Sequence, residues 1–294
     1  MNLGEAKPFI KYPGGKRELL PEIRKRYPSN ERVTTYVEPF VGGGAVLFDV
    51  LKTFRLERVV VSDVNAELMK VYWVVQRKCE ALVAALADMQ REYYGRDDEE
   101  RAAYYYAKRS RFNELKSVCR ETTRFDVELA ALFIFLNKTC FNGLYRLNRK
   151  GEFNAAHGRV KAPNICDAQT LFACRDSLRG VAILLCDWRD AEGVVDADTF
   201  VYVDPPYRQV DVANPYKLYT KNDFDDAQQE ELAEACRRWD DSGAYVVAHN
   251  SDYPEYFGRL YEGFRIDRLE ASRKISKTVE GRAKVGELIM YSKD

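Results

Sequence analysis

Hydrophobic and polar positions along the chain alternate between two periods. Short β-branched and aromatic runs at Thr35–Glu38, Arg58–Ser62, Val181–Cys186, Phe200–Val203, Ala244–His249, Phe264–Leu269 and Glu287–Tyr291 read as strands. Between and around them lie stretches of helical spacing. One follows the glycine-rich segment after residue 41. A long one runs from Ala66 to Tyr94, with Leu68, Val71, Tyr72, Val75, Leu82 and Leu86 on its apolar stripe. Others cover Tyr104–Arg111, the buried run Leu129–Leu136, and a helix reaching Trp239 that opens on a capping box of Asp225 and Gln228. A short helix is expected near Arg17–Arg26. The strands begin at Thr35, pause from about residue 66 to 175, and resume. The pattern predicts an α/β fold, a Rossmann-like sheet formed by residues 1–65 and 176–294. Residues 66–175 are predicted to be an inserted, mainly helical domain carrying a β-hairpin.

The strand Phe200–Val203 ends on Asp204-Pro205-Pro206-Tyr207. Two prolines cannot donate to a sheet ladder, so the strand must stop there. A carboxylate, a stiff turn and an aromatic ring are thereby set at the C-terminal edge of a strand, where open α/β sheets bind ligands. An ordinary turn with Asp204 as a cap is the plainer reading; a carboxylate that accepts from an amine is the sharper one. The strand at Thr35 runs into Pro39-Phe40-Val41-Gly42-Gly43-Gly44, a turn through which backbone can approach a ligand closely. It lacks the Gly-x-Gly-x-x-Gly spacing. About 20 residues on, the second strand ends at Asp63, where this architecture holds a ribose hydroxyl. Asp63 could instead cap the helix from Ala66, but Asn65 can do that itself. Lys11-Tyr12-Pro13-Gly14-Gly15-Lys16 forms a further glycine turn flanked by lysines.

Composition narrows the classes. Basic and acidic residues balance at 46 each in 294 residues, but they are segregated. Asn137–Lys161 carries Lys138, Arg146, Arg149, Lys150, Arg159 and Lys161 against the single acid Glu152, and Arg265–Lys284 is also basic. Acid collects in 187–198 and 223–231. One face is therefore suited to phosphates. Within Asn137–Lys161, Arg149-Lys150-Gly151 reads as the turn of a hairpin. Asn142, Arg146 and Asn148 are hydrogen-bonding tips, and Phe141 and Tyr145 are rings able to wedge a duplex. The alternative is a solvated charged hairpin. Tyr104-Tyr105-Tyr106 is better read as helix packing than as a base-stacking platform. Seven scattered cysteines without Cys-x-x-Cys, and two histidines, speak against a zinc site or a disulfide framework. No metal is expected. No stretch reaches membrane-span length and no signal-peptide pattern opens the chain, so a cytoplasmic protein is expected.

Taken in order, these motifs resemble the DNA adenine methylase (Dam) family of adenine-N6 methyltransferases. Phe9–Lys16 is similar to that family's N-terminal motif, Val37–Gly44 to its cofactor glycine loop, and Ser62–Asn65 to its ribose motif. Asn137–Asn148 with Gly151–Arg159 is similar to its recognition hairpin, and Asp204–Tyr207 to its catalytic motif. The resemblance implies S-adenosylmethionine as cofactor, held by Tyr12, Lys16, Glu38, Phe40, Gly42, Gly44, Asp63 and Asp204. It implies catalysis by Asp204, Pro205 and Tyr207. It implies double-stranded DNA as partner, contacted by Lys11, Phe141, Asn142, Arg146, Asn148 and Arg159. Methylation at GATC, a monomeric state and a cognate restriction endonuclease are the further expectations. The chain departs at Ala155-Ala156-His157-Gly158-Arg159-Val160, where the family usually has Val-Pro-Phe-Gly-Arg-Tyr, and this bears on the exact DNA site. The competing classes are a catalytically inactive DNA-binding relative, a nicotinamide oxidoreductase on the same topology, and a methyltransferase for RNA or a protein amide.

Overall fold

A computed structural model describes residues 4–118, 126–208, 224–272 and 284–293. Its centre is a seven-stranded sheet. The strands are β1 (Thr35–Glu38), β2 (Arg58–Asp63), β3 (Ala182–Leu185), β4 (Thr199–Val203), β5 (Tyr245–Ser251), β6 (Arg265–Ser272) and β7 (Lys284–Tyr291). Their order is β3-β2-β1-β4-β5-β7-β6. The first five pair in parallel, and β7 runs antiparallel to both β5 and β6. All seven predicted strands are present, within a few residues at their ends.

Both faces of the sheet are covered, and strand alternation sorts the side chains between them. Tyr36, Val59, Val61, Phe200, Tyr202, Tyr245 and Val247 enter one core. Val37, Val60, Val201, Val203, Val246 and Ala248 enter the other, beneath α8 (Asp226–Asp241) and α9 (Pro254–Leu260). The first core continues through α2 (Ala45–Thr53) and α3 (Ala66–Arg77) into a helical layer. That layer is made of α4 (Cys79–Tyr94), α5 (Asp98–Val118), α6 (Val127–Thr139) and α7 (Ala168–Ser177). Helix α6 is apolar nearly all round because α3, α4 and α5 surround it.

Three expectations change. The helix expected from Ala66 to Tyr94 is two helices, broken at Lys78, whose φ/ψ of −137° and 32° are not helical. No glycine or proline marks the break. It lets α3 lie on β2 and β3 while α4 packs Cys79, Leu82, Leu86 and Tyr93 against α6 and α7. The helix near Arg17–Arg26 is a single α-turn, α1 (Leu20–Ile23), between two 3₁₀ turns. The Asn137–Lys161 hairpin closes by two isolated antiparallel bridges, Cys140 with His157 and Leu147 with Phe153, and its first residues Asn137–Thr139 belong to α6. The capping box of Asp225 and Gln228 is present. Part of the basic stretch Arg265–Lys284, and of the acidic stretch 223–231, lies outside the described residues. Among the described residues no helix is long and apolar enough to cross a membrane.

Candidate active site

The strand order reverses between β1 and β4, so the loops leaving these two strands diverge and open a crevice. Glu38, Asp63 and Asp204 stand at the C-terminal ends of β1, β2 and β4 or just past them. Burial raises the pKa of each. Glu38, 3% exposed, is pushed well above the usual carboxylate range by desolvation, and Asp204 and Asp63 add to this against the Tyr36 hydroxyl, which donates at 2.8 Å. Asp63 is raised to about 6 by burial, opposed by the backbone N–H groups of Asn65 and Gly42. Asp204 is raised by burial, opposed by Lys16. Among the described residues, one of the three, Asp204, has a cation within ion-pair distance.

That cation is Lys16. Its Nζ lies 2.8 Å from Asp204 Oδ1 and donates to the Gly14 carbonyl at 2.8 Å. It also lies 4.8 Å from the Tyr207 ring centre. The Asp204–Tyr207 turn is pinned from three sides. Tyr207 donates its hydroxyl to Glu287 Oε2 at 2.8 Å, Gln229 donates to the Pro206 carbonyl at 2.9 Å, and Asn250 accepts from the Arg208 N–H at 3.0 Å. Asn250 in turn donates to Gln229 at 2.9 Å. Pro205 is buried within the turn. Glu287, Gln229 and Asn250 were not legible in the sequence as site residues; each is placed there by β7, α8 or β5.

The glycine loop approaches its neighbours closely. Gly44 has φ +72°, and a Cβ there would fall within 2.4 Å of the Tyr72 hydroxyl. That hydroxyl donates to the Gly42 carbonyl at 3.0 Å and fixes the loop. Tyr12 lies against Gly42 and Gly43: a Cβ at Gly42 would come within 3.1 Å of its ring, and one at Gly43 within 3.0 Å of its Cβ. Tyr12 OH also accepts from Asn65 at 3.4 Å. Asn65 caps α3 by accepting from Leu68 N–H, so Asp63 is not the cap. Asp63 instead accepts from Gly42 N–H at 3.2 Å and ties the β1 and β2 loops together. Phe40 packs edge-on against Phe224, with ring centres 5.9 Å apart. Tyr12, Lys16, Glu38, Phe40, Gly42, Gly44, Asp63 and Asp204 thus gather around the reversal point. An acid-rich, glycine-walled cradle of this kind fits a ligand carrying a ribose, an ammonium and a sulfonium.

The residues expected to face DNA divide by exposure. Phe141 is 48% exposed, and Lys11, Asn142, Arg146 and Arg159 are exposed. The side chain of Lys11 runs past Gly143, where a Cβ would meet Lys11 Cδ at 2.5 Å, so Lys11 joins the Phe141–Asn142 turn. The Ala156–Gly158 segment pairs with Thr139–Phe141, and Phe141 N–H donates to the Ala156 carbonyl at 2.8 Å. This brings Arg159 beside the same turn. Arg146 donates to Asn154 at 2.9 Å. The Asn148 side chain is engaged inside the turn, accepting from Lys150 and Glu152 N–H and donating to Glu152. Tyr145 corrects the reading of it as a wedge. It is 4% exposed, stacks on Phe133, accepts from Lys116 at 3.0 Å and donates to Glu67 at 3.2 Å. A buried phenol held between two charged partners is fixed in the core. The three tyrosines are mostly packing, as expected: Tyr105 is buried and donates to the Ala155 carbonyl, whereas Tyr106 is exposed. His157, at the departure from the family pattern, packs between Tyr93 and Tyr105, with its Nε2 2.8 Å from Tyr93 OH.

The mostly parallel sheet with a crevice at its strand reversal places the protein in the α/β class with a Rossmann-like methyltransferase fold. Residues 12–275 match the family of D12 class N6 adenine-specific DNA methyltransferases. The chain is 42% identical over 275 residues to the type II methyltransferase M.MjaIII of Methanocaldococcus jannaschii, covering 92% of this chain and 93% of that one. It is 32% identical to the type II methyltransferase M1.LlaDCHI of Lactococcus lactis, over 97% of this chain and 94% of that protein. It is 30% identical to the DNA adenine methylase of Haemophilus influenzae, over 96% of this chain and 92% of that protein. The chain belongs to the D12 class and is an adenine-specific DNA methyltransferase. Membership of a methyltransferase family implies S-adenosylmethionine as the methyl donor.

Proposed function

We propose that the protein methylates N6 of adenine at GATC in duplex DNA, acting on a base turned out of the helix. The observation that carries this reading is Asp204, half-buried at the β1/β4 crevice on a turn pinned by Glu287, Gln229 and Asn250. Adenine N6 is a weak nucleophile because its lone pair is delocalised into the ring. Asp204 and the Pro205 carbonyl accept its two N–H bonds, which localises that lone pair on the nitrogen. Ionised Asp204 stabilises the positive charge that develops there, and the proton leaves afterwards. Orientation and electrostatics supply the rate, with no covalent enzyme intermediate. Tyr207 offers its ring to the base. N6 cannot reach Asp204 from within a stacked duplex, so the base is flipped.

S-adenosylmethionine, when bound, supplies an electrophilic methyl group on a sulfonium. Asp63 takes the ribose, Glu38 the ammonium, and Gly42 and Gly44 line the cradle with Tyr12, Lys16 and Phe40. Residues 1–65 and 176–294 form the catalytic unit in this reading, and 66–175 the recognition unit. Lys11, Phe141, Asn142, Arg146 and Arg159 meet DNA, while Asn148 shapes the turn that presents them. The protein acts as a cytoplasmic monomer. The type II names of two relatives favour a restriction endonuclease that shares its site.

Modified-base sequencing of DNA from a methylation-deficient host tests the reading, with Asp204→Ala beside the wild type. N6-methyladenine at GATC that is lost in the variant is the expected result. Methyladenine at another short site would keep the chemistry and overturn GATC, tracing the change to Ala155–Val160. Full activity of Asp204→Ala would remove the mechanism.

A further inference from the structure

Lys16 occupies an unusual position for a cofactor-binding residue. Its side chain is 3% exposed, and its ammonium lies 2.8 Å from Asp204 Oδ1 and 4.8 Å from the centre of the Tyr207 ring. An exocyclic amine bound by Asp204, on a base lying against Tyr207, requires the same two partners. The ammonium and the base cannot both occupy the space over the Tyr207 ring beside Asp204 Oδ1, so Lys16 must give way when the base enters. A buried ammonium that leaves its nearest counter-ion is strongly disfavoured unless another carboxylate receives it. A second carboxylate is already in range: Glu287 Oε2 on β7 lies 3.8 Å from Lys16 Nζ. A shift of about 1 Å would bring this pair to the 2.8 Å separation now held with Asp204. The same Glu287 oxygen accepts the Tyr207 hydroxyl at 2.8 Å and so also holds the ring against which the base would rest.

We propose that Glu287 is a positioning residue for methyl transfer: it receives the Lys16 ammonium, which stands in for the target amino group, and so frees Asp204 for the base. This rests on the adenine reading of the same site. Without the Glu287 charge, Lys16 stays on Asp204 and competes with the base.

The test compares Glu287→Gln, Glu287→Asp and wild type. Gln keeps an acceptor for the Tyr207 hydroxyl and removes the charge. The readouts are methyl transfer to duplex DNA, calorimetric binding of S-adenosylmethionine, and fluorescence of 2-aminopurine at the target position with S-adenosylhomocysteine present. For Glu287→Gln, kcat/KM for DNA should fall about tenfold and the 2-aminopurine signal should drop. Its cofactor Kd should stay within about threefold of wild type. Glu287→Asp, which retains the charge, should recover most of the loss. Unchanged transfer by Glu287→Gln overturns the inference, as does equal impairment of the Asp and Gln variants. No transfer to adenine by the wild type overturns the functional reading and this inference with it; transfer by the wild type with an indifferent Gln variant overturns the inference alone.

Discussion

Asn137 holds Lys11 by both of its backbone groups. Its Oδ1 accepts from the Lys11 N–H at 2.8 Å and its Nδ2 donates to the Lys11 carbonyl at 2.8 Å. The same Nδ2 donates to the Gly143 carbonyl at 3.0 Å. One buried amide thus joins the N-terminal loop that carries Tyr12 and Lys16 to the turn that presents Phe141 and Asn142. In the proposed function, the cofactor side and the DNA side of the protein meet at this residue.

Asn137→Ala should be costly. Three hydrogen bonds are lost and the partner groups are left under-satisfied at a site 4% exposed, which corresponds to about 2–3 kcal/mol. For a chain of this length the melting temperature should fall by about 4–8 °C. Differential scanning fluorimetry, with and without S-adenosylmethionine, reads this. A melting temperature equal to wild type would mean that the two loops are held elsewhere.

Asp63 gives a pH dependence. Its carboxyl is raised to about 6 in the folded state from an ordinary 3.8, so the native protein binds the proton more tightly than the unfolded chain. The stabilising contribution is complete below the unfolded value and is lost as pH rises through about 6. A shift of about two units corresponds to about 3 kcal/mol. The stability difference between wild type and Asp63→Asn, from urea unfolding at pH 4 and pH 7, should therefore change by about that amount in favour of the Asn variant at pH 7. A ribose hydroxyl donates best to the ionised carboxylate, so cofactor affinity should tighten across the same window. A difference that is flat between the two pH values would contradict the burial argument.

Phe141 should matter to DNA and not to folding. It is 48% exposed, so Phe141→Ala should change stability by less than about 0.5 kcal/mol. Methyl transfer to a fully paired duplex should fall at least about tenfold, because a wedge that offsets lost stacking is gone. A mismatch opposite the target adenine lowers the cost of flipping and should restore much of the rate. Equal losses on paired and mismatched duplexes would assign Phe141 some other contact.

The strands, the glycine loop and the Asp204-Pro205-Pro206-Tyr207 turn were legible in the sequence because each follows from local chemistry. Period-2 apolar runs make strands, prolines end them, and the Gly42–Gly44 run permits the tight turn, with positive φ at Gly42 and Gly44. Asn65 could be read as the cap of α3 from its position alone, and that is the bond it makes. The order of the motifs carried the family. Tertiary structure decided the rest, because it depends on which distant segments share space. Nothing local distinguishes Tyr145 from Phe141, yet Lys116 and Glu67 bury the first while the second points out. Nothing local breaks the helix at Lys78; the competing demands of the sheet and of α6 do. Glu287 lies 80 residues from Tyr207 in the chain and reaches it because β7 returns antiparallel beside β5. Short-range sequence fixes backbone states, whereas the partners of buried polar groups are set by the packing that brings them together.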